Sequence, residues 1–271
     1  MNNISQQPLS PAVYSPWYLR YIMVIAFLIM TVSLMDRYVV SILLEQIKVD
    51  LSLTDTQLGW LVGPAFVVTH VICQLPLARI ADRSVRRNLI IGAMGLWSLF
   101  TIAAGFAKNF PQLLVARMGV GISEAACAPS LTSMLSDYFP IGKRGRAMSM
   151  ITLGGTAGIG AGMLLGGFVG QAYGWRIALI AAGVPGVFLA LVVWLTIREP
   201  LRGGSDPGSS PNNSQNPVGA FEAVRTLTRK RTFNWLIVGA SLSYVTNIGR
   251  GAWEPVFLMR IYELDQSTAG L

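Results

Sequence analysis

Seven stretches of this sequence are long and apolar enough to constrain everything else about it. They run approximately Trp17–Leu44, Gln57–Ala81, Asn88–Ala107, Pro111–Phe139, Ala147–Ala172, Arg176–Ile197 and Phe233–Met259. A helix needs roughly 20 mainly apolar residues to cross the hydrocarbon core of a bilayer. Only 13% of the 271 residues are charged, about half the share with which a soluble domain covers its surface. No stretch alternates in the period-two manner of an outer-membrane barrel strand. The sequence therefore predicts an all-α membrane protein with about seven spans. The first apolar run is too long for the core of a signal peptide, and no basic cluster precedes it.

The loops between these runs alternate in charge. Glu45, Lys48, Asp50 and Asp55 follow the first run, and Arg79, Arg83, Arg86 and Arg87 follow the second. Lys108 stands alone after the third, Lys143, Arg144 and Arg146 follow the fourth, and Arg176 lies in a short turn after the fifth. Arg198, Arg202, Arg225, Arg229, Lys230 and Arg231 follow the sixth. Basic loops stay on the cytoplasmic side, so the sequence predicts a multi-pass protein of the inner or plasma membrane with its N-terminus in the cytoplasm. The net charge of +8 belongs to this topology and predicts no nucleic-acid partner. The stretch Leu201–Pro217 is rich in Gly, Ser, Pro and Asn and reads as a flexible linker. Phe221–Arg231 reads as a short basic surface helix.

A repeat suggests how the spans are grouped. Leu53-Thr54-Asp55-Thr56-Gln57-Leu58-Gly59 opens the second span, and Leu264-Asp265-Gln266-Ser267-Thr268-Ala269-Gly270 follows the seventh. Each has Leu, a helix-capping residue, small hydroxyl residues and a Gly. The seventh span then begins a second copy of the first half, as in transporters built from two parallel halves. The predicted organisation is a tail (1–16), a six-helix bundle (17–198), a central loop (199–232), and the seventh helix with the start of an eighth (233–271).

Several motifs share one family likeness. Pro76–Arg87, with Asp82, Arg83, Arg86 and Arg87, resembles the loop motif of the major facilitator superfamily, although Ala78 and Val85 stand at its glycine positions. Arg117-Met-Gly-Val-Gly121-Ile-Ser123-Glu124-Ala and Ser136-Asp137-Tyr138-Phe139-Pro140 are similar to the fourth helix of its spinster-like family. Asp36-Arg37, Gly174-Trp175-Arg176, Arg198-Glu199-Pro200, Trp253-Glu254-Pro255 and Phe257–Arg260 match that family in order and spacing. The resemblance implies an N-terminal six-helix bundle, a seventh helix and the start of an eighth, within a twelve-span transporter that works by alternating access. It also implies lipid-like substrates, proton linkage and a monomer at full length. For the loop motif, a carboxylate at a helix end that binds arginines and a neighbouring helix N-terminus gives either a cytoplasmic gate or an ordinary basic loop.

Four ionisable residues lie well inside spans: Asp36, Arg37, Arg117 and Glu124. Each costs roughly 2.5–3.5 kcal/mol to insert unless paired or wetted. At the rise of an α-helix, Arg117 falls ~9 Å, Asp36 ~12 Å and Glu124 ~20 Å below the outer ends of their spans. Asp36 has the depth to bridge to Arg117, and Asp36 and Arg37 point about 100° apart. Two readings stay open. Asp36 and Glu124 exchange a proton against the counter-charges Arg117 and Arg37, which also suit an anionic headgroup; or the four form a static salt-bridge cluster.

Weaker candidates are His70 and Gln74, one turn apart and either cavity-lining or pH-sensing, and the i,i+4 pair Arg250 and Glu254 near the outer end of span seven. Span five carries glycines at 154, 158, 162, 166 and 170, which reads as a helix-contact seam. Cys73 and Cys127 read as packing residues. No H-E-x-x-H, P-loop or G-x-S-x-G is present, so the sequence predicts no enzyme, cofactor or metal site. The expected partners are a small-molecule or lipid-like substrate, protons and the bilayer.

Overall fold

The protein's structure, a computed structural model, describes residues 14–202 and 220–271. Most of the tail assigned to 1–16, and the linker Leu201–Pro217 beyond Arg202, lie outside the described residues. The elements are α1 (Pro16–Leu51), α2 (Asp55–Val62), α3 (Pro64–Arg83), α4 (Arg86–Gly105), α5 (Phe110–Glu124), α6 (Cys127–Tyr138), α7 (Ile141–Tyr173) and α8 (Trp175–Thr196). They are followed by α9 (Ala220–Thr228), α10 (Arg231–Ile261) and α11 (Gln266–Ala269). No strand occurs among the described residues, as the absence of period-two alternation requires.

Local chemistry sets the helix ends. Ser15 caps α1 by accepting from the Tyr18 N–H, with Pro16 at the first helical position. Thr54 and Gln57 form a reciprocal capping box at the start of α2, and Asp265 takes the matching N-cap position of α11. The repeat in the sequence is thus a repeat of helix starts. Gly174, between α7 and α8, sits at φ +84, a conformation that costs other residues strain.

Three boundaries differ from the sequence reading. The second span is broken at Gly63, between α2 and α3, where Pro64 supplies no N–H and cannot continue the hydrogen-bond ladder. The fourth is broken at Ala125 and Ala126, between α5 and α6, four and three residues ahead of Pro129. Lys143, Arg144 and Arg146 lie on the first turns of α7 rather than in a loop. There the Arg144 guanidinium donates to the Ser136 and Phe139 carbonyls and satisfies the end of α6.

Five helical segments are long and apolar enough to cross a membrane: Pro16–Leu51, Asp55–Arg83, Arg86–Gly105, Ile141–Tyr173 and Trp175–Thr196. The divided α5–α6 pair and α10 are not among them.

Glycines decide how the helices meet. α1 packs chiefly on α7 and α8, α8 on α4, α4 on α5, and α5 on α3. A Cβ at Gly154 or Gly158 would collide with the Phe27 or Thr31 carbonyl of α1, and one at Gly162 would lie 2.7 Å from the Met35 carbonyl. The seam read in span five is therefore the contact with α1. Gly183 and Gly186 of α8 do the same against Ser98 of α4. Such close approach replaces the hydrophobic drive that lipid does not supply.

The arginine and lysine clusters at Arg79–Arg87, Lys143–Arg146 and Arg198–Arg202 fall at one end of the bundle, called here the basic end, while the single cations Lys108 and Arg176 fall at the other. Glu45, Asp50 and Asp55 also fall at that other end, the acidic end.

Gly158→Leu is expected to lower the melting temperature of the purified protein, since overpacking a tight contact costs about 1–3 kcal/mol or more. Gly160→Leu on the same helix, with nothing within 4 Å of its Cβ, should leave it nearly unchanged. A thermal-shift assay in detergent compares the two.

Candidate functional site

Three helices bring the buried charges together. α1 carries Ser33, Asp36 and Arg37, with Asp36 only 1% exposed. α5 carries Arg117 and Glu124, each 3% exposed, and α4 contributes Thr101. α1 and α5 are not closely packed neighbours, so long side chains must cross between them.

Arg37 makes that crossing. Its Nη2 lies 2.8 Å from Glu124 Oε1, and its Nε donates to both carboxylate oxygens at 3.0 and 3.2 Å. The Ser33 hydroxyl also donates to Glu124 Oε1. Glu124 ends α5 immediately before the break in span four, so the carboxylate and the irregular backbone share one level. Charge-assisted forks of this kind are the stronger ion pairs.

Asp36 is partnered differently from the sequence reading. No ion pair joins it to Arg117 among the described residues. Instead the Thr101 hydroxyl donates to Asp36 Oδ2 at 2.6 Å, and Oδ1 is buried without a hydrogen-bond partner. The physical reason is helix order: α8 packs on α1 and meets α4 closely through Gly183 and Gly186, and this presents Thr101 of α4 to Asp36.

The Arg117 Nε is likewise buried without a partner. Its guanidinium stands over the Phe66 ring at 5.5 Å, and Arg37 stands over the same ring at 4.5 Å. Cation–π contact offsets part of the cost of two buried guanidinium groups. A cavity of about 50 Å³ opens beside them, lined by Arg37, Tyr38, Ser41, Phe66, Arg117 and Tyr244 among others.

His70 joins this cluster and Gln74 does not. His70 stacks on Phe66 at 5.3 Å, with Nδ1 buried and unpartnered. Gln74 is exposed one turn further along α3. Arg250 and Glu254 pair at 3.2 Å, but with side chains 76% and 46% exposed. The α10 arginine that pairs with the first bundle is Arg260, which the sequence marks only as the end of the Phe257–Arg260 match and gives no role.

At the basic end the arrangement also departs from expectation. Asp82 and Arg83 are exposed, and Asp82 has no ion pair among the described residues. The ionic centre is Arg86, 2% exposed, which pairs with Asp137 of α6 and with Glu199 at 2.8 Å. It also donates to Ser133 Oγ and the Pro200 carbonyl. The Arg87 N–H donates to Glu199 Oε2 at 2.8 Å. Arg86 is buried because it opens α4 directly beneath the chain leaving α8, where two carboxylates meet it. The fully buried thiol of Cys127 has no role in either network, and no group of three or more metal-ligating side chains occurs among the described residues.

Comparison with known proteins agrees with this geometry. Residues 26–271 match the Major Facilitator Superfamily. A probable L-galactonate transporter of Escherichia coli is 30% identical over 92% of the chain and 56% of its own length. Human protein spinster homolog 1 is 29% identical over 83% of the chain and 43% of its own length. An MFS-type efflux pump of Mycolicibacterium smegmatis is 28% identical over 90% of the chain and 55% of its own length. The crystal structure of a bacterial homolog to the human lysosomal transporter Spinster, inward-facing and unoccupied, superposes with a TM-score of 0.84 at 32% identity. That match covers 95% of this chain and 59% of the other. The chain spans about half the length of these relatives, which are transporters rather than enzymes. By its family match and these likenesses, the chain belongs to the Major Facilitator Superfamily and is spinster-like.

Proposed function

We propose that this chain forms the first half of a secondary active transporter that works by alternating access, is proton-linked, and carries an amphiphilic or organic anionic solute. The observation that carries the reading is Arg117, a buried guanidinium on a cavity wall with no carboxylate paired to it. Its two candidate counter-charges are already engaged, Glu124 by Arg37 and Asp36 by Thr101. A buried guanidinium with no carboxylate in hydrogen-bond contact keeps part of its desolvation cost, and a bound anion, or a turn of Arg117 toward Asp36, lowers that cost. Guanidinium groups suit carboxylate or phosphate recognition through two parallel hydrogen bonds.

The same geometry supports proton linkage. A buried carboxyl is neutral when unpaired and ionised when a cation approaches. In the proposed cycle Arg117 alternates between solute and Asp36, and Arg37 between Glu124 and the cavity. Each exchange moves one proton. The static alternative keeps both pairs unchanged throughout. Val62, Phe66, Val67 and Ile248 line the cavity beside the two arginines, and this apolar surface next to two cations matches the chemistry of an amphiphile, of which a lysolipid is one. The L-galactonate relative favours a second reading, a smaller organic anion on the same arginines. By the positive-inside rule the basic end faces the cytoplasm of a cell membrane, and the complete protein acts as a monomer.

In the full-length protein reconstituted in vesicles, Asp36→Asn and Glu124→Gln are each expected to abolish stimulation of uptake by a pH gradient. Wild-type gradient dependence in both variants would overturn the coupling. Arg117→Ala should lower uptake of anionic solutes at least tenfold, since a hydrogen bond to a charged group contributes about 1.5–3 kcal/mol. A panel of lysolipids and small carboxylates, measured with and without the gradient, separates the two solute readings.

The basic end divides into a moving part and a fixed part under this reading. Asp82, exposed and unpaired, is the gate carboxylate that meets the second bundle when that end closes. Arg86, buried between two carboxylates, holds the first bundle together. Asp82→Asn should slow transport and leave the melting temperature unchanged. Arg86→Met should lower it, because removing one partner of a buried ion pair costs about 3–5 kcal/mol. Thermal-shift and uptake assays on the two variants test the division.

A further inference from the structure

Contacts between the first bundle and the helices that follow the central loop concentrate at the acidic end. Arg260, near the end of α10, places Nη2 at 2.6 Å from Glu45 Oε1 and 2.7 Å from Asp55 Oδ1. Its Nε donates to Glu45 at 2.8 Å, and Lys48 donates to the same Asp55 Oδ1 at 2.7 Å. One guanidinium thus ties α10 to the end of α1 and the start of α2.

α11 adds a second tie. Gln266, buried, donates to the Gly166 carbonyl of α7 at 2.7 Å. The Ser267 N–H donates to Gln171 Oε1 at 2.8 Å, and a Cβ on Gly270 would stand 2.7 Å from the Met163 carbonyl. The Asp265 carboxyl is held down to about 2 by the hydroxyls of Thr268 and Ser267 and by the Gln171 amide. The glycine ridge of α7 therefore serves two neighbours, α1 along its length and α11 at its acidic end.

The opposite half of α10 is different. From Asn234 to Asn247 it is exposed throughout, and burial against the first bundle begins at Ile248. Apart from Tyr244, which reaches the cavity beside Arg37, α10 is packed at the acidic end and exposed toward the basic end, the geometry of a closed acidic end.

We propose that Arg260 is the pin of an acidic-end latch, whose ion pairs with Glu45 and Asp55 exist only while that end is closed and so set the balance between the two access states. The inference rests on the alternating-access reading, and goes beyond it by assigning the bias to one residue. A contact present in one state alone shifts the equilibrium by its own free energy. The pairs here are solvent-exposed, with side chains 27–53% accessible, so each is weak enough to break in every cycle. Losing both shifts the open-to-closed ratio at this end by roughly two- to tenfold.

The test is a distance measurement by double electron–electron resonance in the full-length protein, freed of its other cysteines. Nitroxides are placed at Val49→Cys and Tyr262→Cys, which are exposed on the two sides of the latch. Arg260→Gln is expected to raise the longer-distance population by the factor above. Glu45→Gln combined with Asp55→Asn, which spares Arg260, should give the same shift and decides the matter if Arg260→Gln does not fold. The exchange Arg260→Glu with Asp55→Arg should return the ratio part of the way to that of the unsubstituted protein. An unchanged ratio in the first two variants, beside two populations that respond to a pH gradient, overturns the latch alone. A single distance unmoved in every variant and gradient overturns both the latch and the alternating-access reading.

Discussion

A charge carried into lipid must find a partner, and that constraint organises this bundle. Asp36 and Arg37 are neighbours in sequence on one helix, yet they cannot serve the same partner, because adjacent helical residues point about 100° apart. One looks toward α4 and Thr101, and the other toward α5 and Glu124. α1 must therefore sit where both directions are filled. The glycines of α7 and α8 let it do so, since they bring α1 against α7 on one side while α8 closes on α4. Small residues thus set the backbone spacing that makes the charge pairing geometrically available.

Much of this was legible before any coordinates. Apolar run lengths mark the five segments long and apolar enough to span, the position of Asp36, Arg37, Arg117 and Glu124 within such runs marks the charged centre, and spacing by four marks the α7 seam. The pairing was not legible. Depth along a helix is readable at 1.5 Å per residue, but rotation about the axis relative to a helix far away in sequence is not. Hence depth, with spans one and four taken as neighbours, points Asp36 toward Arg117, whereas Thr101, a small hydroxyl in an apolar run, gives no signal. The two span breaks did have a signal, Pro64 and Pro129, which the hydropathy reading averaged away. At the loop motif the lone carboxylate drew the eye to Asp82, while the buried ionic centre is Arg86, whose partners Asp137 and Glu199 lie 51 and 113 residues further on. Arg260 was eclipsed by Arg250 and Glu254, because i,i+4 pairs are visible in one sequence and contacts across more than 200 residues are not.

Burial separates the ion pairs at the two ends into different kinds. The Arg86 network is closed within the first bundle, and Arg86 is almost wholly desolvated. Breaking it would leave the buried Arg86 guanidinium without its two carboxylates, a step of several kcal/mol with no place in a fast cycle. The Arg260 pairs join one bundle to the next helix and are a quarter to a half exposed. Water replaces them at small cost. Location and solvation give the same division: the static tie is buried within a bundle, and the breakable tie is wet and spans two. The Arg37–Glu124 pair lies between these extremes, with Glu124 buried and Arg37 22% exposed toward the cavity. Under the proposed cycle this partial exposure is what makes it the pair a proton or an anion arriving from the cavity would exchange with.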